Sequence, residues 1–364
     1  MPVSRLTADG LADRVAAVYA DVEIRLLQLI GEALARGIDA PEWAEAKLAE
    51  LQLIRRRAMA MAAQARGEAV TEMVAAMQTA YLRGVATGQV DAERLLSVDL
   101  DAPPPQAERA VAALVAAQTD ALDALDLRIV RSTVDAFRGA VVKASAGTLT
   151  GGATRLQDAQ RALDDLGRRG LTGFVDSAGR QWGLATYVEM STRTTTAQAA
   201  VQGHLDRLED AGISLFIVSD SSGECDLCRP WEGKVLSRGP VSALQRNAVT
   251  GRMERVQVDG TVREATSAGL FHPNCTHNLS GYVHGATKRG QADANPKGYA
   301  DRQEQRRLER GVREWKRREA VALTPEAKRA ARAKVREWQA RVADHTAATG
   351  LPRKRNRESV TAAR

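Results

Sequence analysis

Apolar residues recur at helical spacing through most of the first 145 positions. Leu11, Val15, Val18, Val22, Leu26, Ile30 and Leu34 predict a helix over 11–36, closed by Gly37 and Pro41. A second helix is predicted over 41–82, carrying Trp43, Leu48, Leu51, Ile54, Met59, Met73 and Met77 with alanines between them. Its methionines read as adaptable core filler. Gly84 and Gly88 weaken its end, and a short helical stretch follows over 91–97. After the break at Pro103-Pro104-Pro105, the periodicity of Val111, Leu114, Leu122, Leu125, Ile129, Val134, Phe137 and Val141 predicts one long helix over 106–145.

The texture changes after Gly147, Gly151 and Gly152. A helix is predicted over 154–167, a short strand or turn pair between Gly173 and Gly179, and helices over 183–193 and 195–211. Ser214 to Ser219 is the best strand, apolar and β-branched, and it runs straight into a cysteine knot. Further elements are a strand over 234–237, a hairpin over 256–262 turning at Asp259-Gly260, a short helix over 261–268 and a closing strand over 278–283. Beyond Gly290, helices are predicted over 300–319 and 325–344, the second opened by Thr324-Pro325. Leu308, Val312 and Trp315 form one stripe, and Val335, Trp338 and Val342 another; the two pair as a hairpin or dock on a neighbouring subunit. The fold class is therefore α+β. A helical interaction or scaffold region spans 1–145, a small α+β domain 146–285, and a basic helical tail 286–364, with a disordered end at Arg353, Lys354, Arg355 and Arg357.

Composition supports the helical reading, because aromatic content is only 4% and alanine is abundant. The N-terminal Met1 to Arg5 carries no signal-peptide core, and no run of about 18 uncharged apolar residues predicts a membrane span. Charge is unevenly spread. Residues 286–364 hold 22 Lys/Arg against 10 Asp/Glu, whereas the preceding 285 residues hold 30 against 35. A basic tail on a mildly acidic body points to an anionic partner, nucleic acid being the commonest. Arg317, Arg318, Lys328, Arg329, Arg353, Lys354 and Arg355 are the candidate contacts to double-stranded DNA. The plainer reading of the same residues is a solvated helical face with a flexible end.

All 3 cysteines lie close to 2 of the 5 histidines, in Cys225-Asp226-Leu227-Cys228 and His272-Pro273-Asn274-Cys275-Thr276-His277. A Cys-x-x-Cys turn presents two thiolates on one side of a bend, and a distant second knot can complete a tetrahedron around Zn²⁺. Cys225, Cys228 and Cys275 are three candidate ligands; His277 is the fourth, and His272 takes its place or supports it by hydrogen bonding. A Cys225–Cys228 disulfide and a redox Cys-x-x-Cys compete with this reading, but the odd third cysteine and the histidine-rich second knot disfavour them. A ligand set this complete leaves no obvious open position, so the zinc is expected to be structural. Asp220 and Glu224 flank the first knot and read as solvated turn residues.

The run from Asp176 through Gly179-Arg180-Gln181-Trp182-Gly183 to Thr194 resembles the signature of tailed-phage minor capsid proteins (minor capsid protein 2), also called minor head or head-morphogenesis proteins of the MuF type. Ser219 to Ser222, the Trp231-Glu232-Gly233-Lys234-Val235 step and the Gly269-to-His277 knot continue the likeness in order, over about 135–285. The resemblance implies a virion structural protein near the portal, made in the host bacterial cytoplasm and acting in head assembly. Its implied partners are the portal and major capsid proteins and packaged DNA; self-association through the helices is a further expectation. It implies no catalytic residue. The alternative is a zinc-dependent nuclease or another toxin- or effector-like enzyme carried in the head, for which His277-Asn278 and His284 are the thin leads. A zinc deaminase does not fit, because His204 is followed by Leu205-Asp206 and the Cys-x-x-Cys lacks a preceding Pro.

Overall fold

In the computed structural model the described residues are 10–97, 99, 100, 102, 104–150, 152–175, 179, 181–221, 224–242, 244–272, 275, 277–289 and 296–360. Part of the likeness quoted above, at 176–178, 180, 222, 273, 274 and 276, lies outside them, as does Met1 to Arg5. The first helices follow the apolar stripes. Helix α1 (Asp13–Ala35) buries Val15, Tyr19, Val22, Leu26, Ile30 and Leu34 and stops before Gly37, whose φ of 61° suits glycine. Helix α2 (Trp43–Ala49) and helix α3 (Leu51–Leu96) replace the single helix expected from 41. They meet at Glu50, which accepts Lys47 and Arg36, both at 2.7 Å.

Helix α3 does not stop at Gly84 and Gly88, and it absorbs the short stretch expected at 91–97. The glycines are there for contact. A Cβ on Gly84 would lie 2.0 Å from the Ala200 carbonyl oxygen, and one on Gly203 would lie 2.2 Å from that of Tyr81. Backbone meets backbone where the later part of α3 crosses helix α6 (Leu184–Asp210). Helix α6 is itself one helix where two were expected. Its threonine run is accommodated by hydroxyls bonding back one turn, Thr194 to Met190, Thr195 to Ser191 and Thr196 to Thr192, at 2.7 to 3.1 Å.

Between them lie helix α4 (Ala107–Thr150), helix α5 (Arg155–Arg169) and a hairpin of β1 (Thr172–Val175) and β2 (Gln181–Gly183). A reciprocal capping box between Thr154 and Gln157 opens α5, and Gly170 closes it.

The chain packs as two compact units, and both draw on the early helices, the middle region and the tail. The first comprises Met1–Asp13, Met73–Gln118 and Met190–Arg302. Its centre is a four-stranded sheet in the order β7-β4-β3-β8, built from β3 (Leu215–Val218), β4 (Val235–Ser237), β7 (Gly260–Thr261) and β8 (Leu279–Gly281). Strand β3 is antiparallel to β4 and β8, with Phe216 opposite both Leu236 and Gly281; β7 joins β4 in parallel. Alternation along β3 serves both faces. Phe216 and Val218 pack with Leu205, Leu208, Leu236, Leu270 and Leu279, while Leu215 packs with Val235, Val256 and Tyr282.

The hairpin expected over 256–262 does not form. Thr261 instead makes a capping box with Glu264 and starts helix α7 (Val262–Ser267), while the Asp259 carboxylate accepts the Val235 N–H at 2.8 Å. The antiparallel pair in this stretch is β5 (Leu244–Arg246) with β6 (Met253–Arg255), which the sequence pattern did not suggest.

The second unit comprises Arg14–Glu72, Thr119–Glu189 and Gln303–Arg364. Trp43 is buried, donates to the Leu34 carbonyl at 3.0 Å and carries the Arg155 guanidinium over its ring at 5.3 Å. Helix α8 (Pro296–Ala320) and helix α9 (Pro325–Thr349) bring the two predicted stripes together, Leu308 and Val312 against Val335 and Val342, flanked by Trp315 and Trp338. Arg353 makes a double hydrogen bond to the buried Glu358 carboxylate at 2.6 and 2.7 Å, Arg355–Glu358 forms a 3₁₀ turn, and Arg313 donates to the Arg357 carbonyl at 2.5 Å. A buried carboxylate that needs a cation orders this segment.

Candidate metal centre

The centre lies in the first unit, where β3 delivers the chain to Cys225 and the second knot leads into β8. Each knot turns in the same way: the Cys228 N–H donates to the Cys225 carbonyl at 3.1 Å, and the Cys275 N–H to the His272 carbonyl at 2.8 Å. Both are i, i+3 turns, which put their paired side chains on the inside of a bend. The Cys228 sulfur packs in the core with Phe216, Leu236 and Leu270.

The five sequence-predicted donors come together as two triads that share Cys228. One is Cys225, Cys228 and His272, the other Cys228, Cys275 and His277, and within each triad the ligand atoms lie within 4.8 Å of one another. Cys225 Sγ is 2.9 Å from His272 Nε2, Cys228 Sγ is 3.5 Å from Cys275 Sγ, and Cys275 Sγ is 3.4 Å from His277 Nδ1. The cysteines are free thiols. Sulfur and imidazole nitrogen at these separations suit a tetrahedral Zn²⁺.

Glu232 is the residue that sequence reasoning missed. Its buried carboxylate accepts from His277 Nε2 at 2.6 Å and from the Ser221 N–H at 3.2 Å. A histidine held this way by one nitrogen presents the other, Nδ1, to a metal, the usual carboxylate support of a ligating imidazole. In the sequence it stands inside the Trp231-to-Val235 step, four residues after Cys228, with nothing that ties it to His277. Glu224 is likewise no solvated turn residue: it is buried and accepts from Arg229 Nε at 3.2 Å. Asp220 is exposed.

Without a cation the cluster is electrostatically uneven. The hydrogen bond with Cys228 holds the Cys275 thiol well below its ordinary range, against its burial; the reciprocal contact and burial push Cys228 up. Burial opposes charge on His277, but hydrogen bonds to Cys275 and Glu232 outweigh it and raise its pKa. These are groups competing for one proton where a divalent cation would let the thiols ionise together. A cavity of about 340 Å³ reaches His272, Cys275 and His277 from one side, lined otherwise by Val201, Leu205 and Phe271 among others.

His204 and His284, in the same unit, belong to neither triad. His204 is buried, which holds its pKa down at about 4, and its Nε2 lies 3.6 Å from Asp91 Oδ2. His284 bonds Glu254 at 2.9 Å.

The predicted DNA contacts divide by their surroundings. Arg317 donates to the Gly167 carbonyl at 2.8 Å, Arg318 lies 3.8 Å over the Trp315 ring and bonds Asp164 at 3.3 Å, and Arg353 holds Glu358. Arg329 pairs with Glu326 at 2.7 Å on an exposed face, Lys328 and Arg355 are exposed, and Lys354 is half-buried.

A family model described as phage minor capsid protein 2 matches residues 6–347. The match takes in the early helices and α8–α9 as well as the stretch at 135–285 that carries the visible likeness. No curated protein and no solved structure matches the chain.

Proposed function

Because the chain belongs to the phage minor capsid protein 2 family and is a protein of the phage virion, we propose that it is a structural head component that works beside the portal during assembly and contacts packaged DNA. The observation that carries this reading is the family match over 6–347, which covers the helices as well as the cysteine-bearing stretch. Long helices offer extended surfaces to the portal and major capsid proteins and to further copies of the chain, and the basic C-terminal helices supply cations for phosphate.

In this reading the Cys/His centre is a brace. Cys225, Cys228 and Cys275 with His277 or His272 hold Zn²⁺, and Glu232 orients His277. The metal supplies cross-linking of two loops on a small sheet core and no bond-making chemistry. We assign no catalytic residue.

Mass spectrometry of purified virions, with crosslinking to the portal, tests the role. Recovery in particles together with crosslinks to portal peptides is expected. A chain found only in infected-cell lysate and absent from particles overturns it.

A further inference from the structure

Helix α8 carries Arg307, Arg310, Arg313 and Arg317 at spacings of three, three and four, which is one helix face about 15 Å long. In the second unit these four line a cavity of about 590 Å³, joined by Arg168 and Arg169 from the end of α5. Six guanidiniums face it against two carboxylates, Glu23 and Glu314. Trp338 forms part of the wall, packed over Gly311 with the Arg307 guanidinium 5.5 Å from its ring centre.

Carboxylates are shared unevenly among these cations. Asp165 alone is shared by Lys143, Arg168 and Arg169, at 2.5 to 3.0 Å. Arg307 has Glu304 at 2.7 Å; Arg313 lies 3.8 Å from Glu189 and donates to the Arg357 carbonyl; Arg317 lies 4.0 Å from Glu23 and donates to the Gly167 carbonyl at 2.8 Å. Arg310 is exposed and makes no ion pair or hydrogen bond among the described residues. Like charges converging on a concave surface focus the field and attract anions, and guanidinium forks match phosphate oxygens in geometry. Laid along the duplex axis, a row of about 15 Å covers the rise of roughly four phosphates of one strand, at about 3.4 Å of axis each.

We propose that this arginine-lined cavity, rather than the chain's basic end, is where the protein grips the phosphate backbone of duplex DNA. The proposal rests on the DNA contact of the reading above and names its site. It also reassigns Arg353, which is committed to Glu358.

The test is binding of the full chain to a fluorescent 30-base-pair duplex across 50–200 mM salt, for the wild type, Arg310→Glu and Arg336→Glu. Arg336 is an exposed cation on α9 outside the cavity lining, so Arg336→Glu controls for net charge. Thermal unfolding checks that both variants fold. Arg310→Glu is expected to weaken binding by about tenfold or more at 50 mM salt and to lower the log–log salt slope by about 1, while Arg336→Glu stays within about twofold. Wild-type binding that Arg310→Glu leaves intact, or that Arg336→Glu weakens equally, overturns the cavity assignment alone. A wild type that binds no duplex overturns the DNA contact itself. Protection of the wild type by pyrophosphate, lost in Arg310→Glu but without duplex binding, marks a small-anion site and also overturns the proposal.

Discussion

Cys228→Ser is the sharpest perturbation of the brace, because Cys228 belongs to both donor triads and is fully buried. A ligand present at 100 to 1,000 times its Kd stabilises the folded state by about 2.7–4.1 kcal/mol. Each kcal/mol moves the midpoint of a unit this size by about 2–4 °C, so zinc should account for roughly 5–16 °C of the first unit's unfolding temperature. Serine removes the shared thiolate and leaves a hydroxyl among Phe216, Leu236 and Leu270, which costs a further 1–3 kcal/mol, about the penalty of an unsatisfied buried polar group. The assay is a cycle: wild type and variant, each with and without chelator, followed by calorimetry and amide exchange. Chelator should lower the wild-type midpoint by the metal's share and leave the variant unmoved, a coupling as large as the metal effect itself. Exchange should accelerate in β3, β4 and β8 but not at the α8–α9 contact. Equal chelator sensitivity in both proteins, or none in the wild type, would refute the reasoning.

His204 should make the fold acid-sensitive apart from any metal. Its pKa is near 6.5 unfolded and about 4 folded, held down by burial, so its contribution is complete above about pH 6.5 and is lost as pH falls towards 4. The loss should reach about 2 kcal/mol by pH 5, partly offset by neighbouring Asp91, whose pKa burial raises. Urea unfolding at pH 7 and 5 should show His204→Gln losing less stability than the wild type, and parallel losses would count against it. Gly203→Ala should destabilise by about 1–3 kcal/mol, because its Cβ would meet the Tyr81 carbonyl at 2.2 Å. Gly139→Ala on α4 meets nothing within 4 Å and should instead be neutral or stabilising by about 0.5–1 kcal/mol. Urea midpoints of the two variants check both, and a tolerated Gly203→Ala would remove the close-contact account of the α3–α6 crossing.

Local pattern served where local physics decides. The β-branched run at 215–218 is a strand, Thr324-Pro325 starts a helix, and the stripes of α8 and α9 do meet. Glycine was ambiguous: in sequence Gly84 and Gly88 weaken a helix, and in the fold they admit a second helix's backbone, a fact held by Ala200 and His204 far along the chain. At 259–264 two local signals competed, the Asp-Gly turn and the Thr261/Glu264 capping box, and the box prevailed because it satisfies helix N–H groups that the turn would leave. The five donors were legible from residue type and spacing. Glu232, 45 residues before His277, was not, because a buried carboxylate's partner is a matter of tertiary packing. Net charge located the basic segment but not its use, since Arg318 and Arg353 are bound to an aromatic face and to carboxylates within their own unit.

The most direct test of the braced head protein is the metal content of the full chain, purified without added metal or chelator and measured against protein concentration by elemental analysis. The account predicts about one zinc per folded chain, lost in Cys228→Ser. A folded, cooperatively unfolding chain that holds no zinc and takes none up would contradict it.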